Sequence, residues 1–194
     1  YKWILNQKEI PPQNILMIGI SYAGAIMLKT LLKYQNQIPL PKTLLVYGTY
    51  ANAKSMLNFL LNGEIIKDGK KFKVTPHEWG LLVLFHNCLK KLELNWDTKN
   101  LQNLIHLQIQ NKLKENSNIV DILDNNQKNI FYSITKRKLI PEVKELTLRM
   151  IKNESKNMEN MSPINWAHKI NKKVFIIHGA NDSMVPYTES IQLS

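Results

Sequence analysis

Apolar positions along this chain follow two periods. Ile15-Leu-Met-Ile-Gly-Ile20, Thr43 to Tyr47 and Val174-Phe-Ile-Ile177 are short continuous apolar runs bounded by turn residues, which predicts buried strands over Asn14–Ile20, Thr43–Tyr47 and the stretch from Lys173. Between the first two, Ala25, Leu28, Leu31 and Leu32 recur at helical spacing within Tyr22–Tyr34, and Ala53–Leu61 reads as a helix closed by Asn62-Gly63. Tyr1–Gln7 reads as a helix end, broken by Pro11-Pro12 before the first strand. Strand and helix therefore alternate at the two ends of the chain.

The middle has a different texture. From Gly63 to Met161 the pattern is amphipathic and helical: Glu78–Leu94, Leu101–Leu113, Ile119–Ile134 in broken pieces, and Ile140–Ile151 with Pro141 in its first turn. Trp79, Leu82, Phe85 and Leu89 form part of this stripe, and core packing accounts for each of them better than a pocket wall does. The expected organisation is a core over 1–62, a helical insertion over 63–161 and a return to the core over 162–194.

The chemistry sits where strand gives way to helix. Gly19-Ile-Ser21-Tyr-Ala-Gly24 places one hydroxyl at a sharp corner, as a nucleophile elbow of the form G-x-S-x-G does, with Ala23 at the second glycine position and Gly24 one place later. Small residues are needed there because the helix passes close to the strand. Far downstream, the last strand ends in His178-Gly-Ala-Asn-Asp182-Ser-Met-Val-Pro186, a turn that carries a carboxylate.

Serine first and acid second is the order of the α/β-hydrolase superfamily. The chain resembles that superfamily from about Asn14 to Asn62 and from about Ser162 to Ser190, the second stretch including Ser162-Pro-Ile-Asn-Trp-Ala-His-Lys-Ile170. The resemblance implies an α/β fold with a mostly parallel sheet, helices on both faces and an inserted helical cap. It also implies a serine hydrolase acting on an ester or related acyl bond. Ser21 is then the nucleophile, the Tyr22 amide one oxyanion-hole donor and Asp182 the acid. The base of such a triad follows the acid in the chain, and none of the twelve residues after Asp182 is histidine. The resemblance therefore implies an internal piece of a hydrolase, without the early strands, the second oxyanion donor or the triad histidine, and nearly inactive alone. A non-catalytic hydrolase-like module that binds a hydrophobic ligand or a partner protein is the alternative.

Of the five histidines, His178 lies nearest the acid in sequence and reads as a strand-end residue bonded to local backbone. His168 belongs to a surface connection, and nothing in the spacing of His77, His86 and His106 selects one of them as a base. Gly19-x-Ser21-x-x-Gly24 is also a degenerate dinucleotide fingerprint, but the first acidic residue after Ser21 is Glu64, too late to hold a ribose. No cofactor is expected. No metal is expected either, since no pair of ligand residues shares an element at ligand spacing.

Composition changes this picture little. With 194 residues, 44% of them hydrophobic, the chain can bury a core, and Cys88 is its only cysteine, so no internal disulfide forms. The net charge of +11 suggests nucleic acid or an anionic membrane, yet only Arg137 and Arg149 among 26 basic residues are arginines, and phosphate recognition favours the arginine fork. The lysines read as a solvated surface. The longest apolar stretch, Gly80–Phe85, is far short of the roughly twenty residues that span a bilayer. The expectation is a cytoplasmic protein with a small-molecule acyl substrate and no nucleic-acid partner.

Overall fold

The computed structural model describes residues 2–7, 10–112 and 118–194. The expected N-terminal helix is α1 (Lys2–Leu5); its Tyr1, and Leu113 of the expected Leu101–Leu113 helix, lie outside the described residues. The chain is of the α/β class and divides into two compact units, one formed by 1–59, 64–73 and 156–194, the other by 60–63 and 74–155.

The first unit is built on three parallel strands, β1 (Leu16–Ile20), β2 (Thr43–Tyr47) and β5 (Val174–Ile177), in the order β1-β2-β5. Residues in register, such as Gly19, Val46 and Ile176, point to the same face. Helix α2 (Tyr22–Tyr34) covers that face and buries Leu28 against Val46 and Trp166. The neighbouring positions turn the other way. Leu16, Ile18, Ile20, Tyr47, Phe175 and Ile177 make an apolar face on which each side chain is between 44% and 61% exposed. So of the two faces expected to carry helices, the one bearing Gly19 and Val46 is packed, and the other is open over these six residues.

Parallel sheets are ordinarily covered on both sides, and an open apolar face of this extent attracts apolar dyes. The folded chain is expected to enhance anilinonaphthalene sulfonate fluorescence. Ile18→Lys is expected to cut that signal by at least about half with little change in stability, because the residue is already solvated. An unchanged signal in the variant would place the dye elsewhere.

Helix α3 (Ala53–Asn62) follows β2, and a short antiparallel hairpin of β3 (Glu64–Lys67) and β4 (Lys70–Lys73) comes next, inside the stretch whose pattern reads as helical. Its turn is Asp68-Gly69, both with positive φ (50° and 72°), the conformation a two-residue hairpin requires and one that Asp-Gly adopts readily. The first unit ends with α8 (Ser155–Met161), whose first residue belongs to the second unit, then β5 and α9 (Thr188–Leu193).

The second unit is helical: α4 (Glu78–Cys88), α5 (Lys99–Ile109), α6 (Asn125–Thr135) and α7 (Pro141–Asn153). Leu81, Leu82, Phe85, Leu101, Leu104, Ile105, Ile130, Ile134, Val143 and Met150 are all fully buried, so the stripe that contains Leu82, Phe85 and Leu89 is core. The exposed Trp79 stands outside it. Local chemistry sets the helix ends. His77 accepts the Trp79 N–H at the start of α4, Asp124 accepts the Gln127 N–H at the start of α6, and Pro141 opens α7. Burial pushes the Cys88 thiol pKa up, with Glu154 adding to the shift and Lys91 opposing it, which fits a packing role. No helix among the described residues is long and apolar enough to cross a membrane.

Candidate active site

Ser21, Gly48 and Asp182 all follow the C-terminal ends of parallel strands, where α/β sheets place their sites. Ser21 has φ 52° and ψ −130°, a conformation that side-chain-bearing residues adopt rarely and only when their surroundings impose it. Here the Ser21 N–H extends the ladder to Tyr47 O at 2.8 Å, while the Gly24 N–H returns to Ser21 O at 3.0 Å. The hydroxyl does not cap α2, and among the described residues it has no hydrogen-bond partner. The Tyr22 N–H, first in α2, is one of the amides a helix leaves unbonded, at the positive end of a thirteen-residue dipole.

The glycines that permit this corner are Gly19 and Gly24. A Cβ on Gly19 would lie 2.6 Å from the Gly24 Cα, and a Cβ on Gly24 would lie 2.7 Å from Thr49 Oγ1 and 2.8 Å from Thr49 Cβ. The close approach expected of Ala23 is thus made one residue later. Thr49 is fully buried, and its hydroxyl has no hydrogen-bond partner among the described residues. Tyr50 is buried as well and stacks on the exposed Tyr22 ring, with centroids 6.0 Å apart and planes 21° from parallel. Burial, with a smaller contribution from Tyr22, raises the Tyr50 phenol above its ordinary range, so it remains a hydrogen-bond donor, here to Met161 O at 3.4 Å.

At the end of β2, Gly48 has φ 60° and gives its N–H to Ile177 O at 2.9 Å; a Cβ there would come 3.2 Å from Asp182 Oδ2. Asp182 is locked by its own turn. Its Oδ1 accepts the N–H groups of Met184 (2.8 Å) and Val185 (3.0 Å), and its N–H reaches Gly179 O at 3.1 Å. Its Oδ2 is 3.5 Å from His178 Nε2, too long for a strong hydrogen bond, which leaves that oxygen able to orient a donor.

His178 is committed elsewhere. Its Nε2 is 2.8 Å from the Val185 carbonyl, which can only accept, so Nε2 carries the proton; Nδ1, 2.6 Å from Ser190 Oγ, must then accept from that hydroxyl. With its side chain 5% exposed and both nitrogens engaged, it holds the acid turn together, as the strand-end expectation had it. His168 is exposed, His77 caps α4, and His86 pairs with His106. Among the described residues no histidine hydrogen-bonds to Ser21.

A family model matches residues 85–194, more than half of the chain. The chain belongs to the BD-FAE family. These are α/β-hydrolase-like esterase domains, which agrees with the parallel sheet and with the superfamily the motifs resemble. The BD-FAE match includes the Asp182 turn and most of the helical unit, and it leaves the Ser21 elbow outside. No curated protein and no solved structure matches the chain.

Two residues inside the BD-FAE stretch hold the first unit together without any local signal. Glu189 is buried in α9, where its Oε2 accepts the N–H groups of Ala51 (2.9 Å) and Asn52 (2.8 Å) and its Oε1 the Ser55 hydroxyl (2.5 Å). Ser162 Oγ accepts the Ala53 N–H at 3.0 Å and donates to Met158 O. Together with Asn52 Oδ1, which accepts the Ser55 N–H at 3.0 Å, they bond the backbone that leads into α3 and its first turn. Their partners around the start of α3 are more than a hundred residues away in the chain, so neither role has a sequence signature.

Proposed function

We propose that this chain carries the nucleophile and the acid of a serine esterase, with the helical unit inserted as its cap. The observation that carries this reading is the strained corner at Ser21, which holds an unpartnered hydroxyl beside the free Tyr22 N–H. Strain of this kind costs on the order of 1–3 kcal/mol and persists where geometry serves a function. In the proposed reaction, Ser21 Oγ attacks the ester carbonyl carbon as its proton passes to a base. The oxyanion forms against the Tyr22 N–H, the alcohol departs with the proton, and water hydrolyses the acyl-enzyme.

Asp182, through Oδ2, orients the base in this scheme. No histidine among the described residues hydrogen-bonds to Ser21, so the scheme takes its base from outside them. Without that base, turnover is expected to lie about four to six orders of magnitude below that of a full triad. The missing base also supports a second reading, a hydrolase-like module that binds an acyl ligand without cleaving it.

Fluorophosphonate labelling with peptide mapping, in the presence and absence of imidazole as a diffusible base, separates the two. The esterase reading expects adduct at Ser21 that forms at least about tenfold faster with imidazole and is absent in Ser21→Ala. Asp182→Asn is expected to reduce the acceleration. No adduct at Ser21 under either condition would favour the binding module.

A further inference from the structure

We propose that His86 and His106 form a two-nitrogen site for a divalent transition-metal ion of the copper, nickel or zinc type. They stand on α4 and α5, twenty residues apart in sequence, and the fold brings His86 Nε2 to 3.1 Å from His106 Nδ1. The ring centroids are 5.2 Å apart and the planes 20° from parallel. With metal–nitrogen bonds of about 2.05 Å, two adjacent ligands lie about 2.9 Å apart at a square centre and about 3.3 Å apart at a tetrahedral one. The observed separation falls between these, so small side-chain rotations aim both lone pairs at one ion.

The scaffold is already in place. Phe85 and Ile105, each next to one of the histidines, are fully buried, as are Leu81, Leu82, Leu101 and Leu104. The two rings therefore project from a packed helix pair, and little ordering is left for binding to accomplish. His106 is exposed and His86 partly so, which gives an ion in solvent access to both. Gln102, one turn before His106 on the same face of α5, has a buried side-chain nitrogen with no hydrogen-bond partner among the described residues.

Without metal, one ring gives its N–H to the other. On binding, the bridging proton moves through solvent to the far nitrogen of its own ring, and each imidazole donates a lone pair while staying neutral. No group of three or more histidine, cysteine or carboxylate side chains gathers for a metal among the described residues. The pair thus supplies two positions and water the others, which makes an exchangeable site on the helical unit.

The test uses the whole chain and Zn²⁺ alone. Calorimetric titration gives the affinity, and long-range ¹H–¹⁵N spectra of histidine-labelled protein identify the coordinated nitrogens. The expected result is one site with simultaneous shifts at His86 Nε2 and His106 Nδ1. His86→Gln and His106→Gln are each expected to weaken binding at least about tenfold, while His168→Gln leaves it unchanged. Thermal unfolding of the metal-free variants verifies that they are folded. Unchanged affinity in both variants, or shifts scattered over single histidines, would overturn the proposal.

Discussion

Gly19→Ala is expected to lower the stability of the chain by about 2–3 kcal/mol in urea unfolding and to abolish labelling of Ser21. The added methyl would meet the Gly24 Cα at 2.6 Å, the Gly24 nitrogen at 3.1 Å and the Ala23 oxygen at 3.2 Å, all backbone atoms of the first turn of α2. A flexible side chain can swing away from such a contact, but helix backbone cannot. The strain is relieved only if α2 lifts from β1, and Ser21 sits in the hinge between them. Stability and reactivity are therefore lost together. A variant with an unchanged unfolding midpoint would mean that the strand and helix do not approach as closely as described.

Glu189→Ala is expected to cost about 3–5 kcal/mol, the larger effect on stability. It strands the Ala51 and Asn52 N–H groups and the Ser55 hydroxyl, which converge on that buried carboxylate. Glu189→Gln discriminates this cause from a simple volume effect. Because one carboxylate oxygen accepts both backbone N–H groups, the glutamine oxygen can take its place while the amide NH₂ donates to Ser55 Oγ. Both backbone N–H groups then remain bonded and the Ser55 hydroxyl accepts where it had donated, so the main loss is the charge near the α3 N-terminus, worth about 1 kcal/mol. Equal losses in the two variants would show that the hydrogen bonds are not what Glu189 supplies. Unfolding followed by far-UV circular dichroism distinguishes the two outcomes.

Much of the site and the fold was legible from local pattern. Helix α2 and strand β2 occupy the residues their periodicity predicts, Tyr22–Tyr34 and Thr43–Tyr47, since a buried strand and a one-faced helix each write their period into consecutive residues. The corner at Ser21 and the turn at Asp182 were visible for a similar reason: the residue types that tolerate those backbone conformations are few. The hairpin at Glu64–Lys73 is a different case. Its Asp68-Gly69 turn is a strong local signal, but the amphipathic helices that follow dominate the reading of that stretch.

What the chain order alone determined, then, is the alternation of strands and helices, the helical character of the middle, and the two strand ends at which Ser21 and Asp182 stand. Only the tertiary structure decided which glycine faces the elbow, that Glu189 caps a helix more than a hundred residues away, that His178 spends both nitrogens on the acid turn, and that His86 meets His106. The reason is physical. Periodicity and turn preferences act over a few residues, whereas a hydrogen bond between distant segments depends on where folding brings them, and the residues that make it look ordinary in isolation.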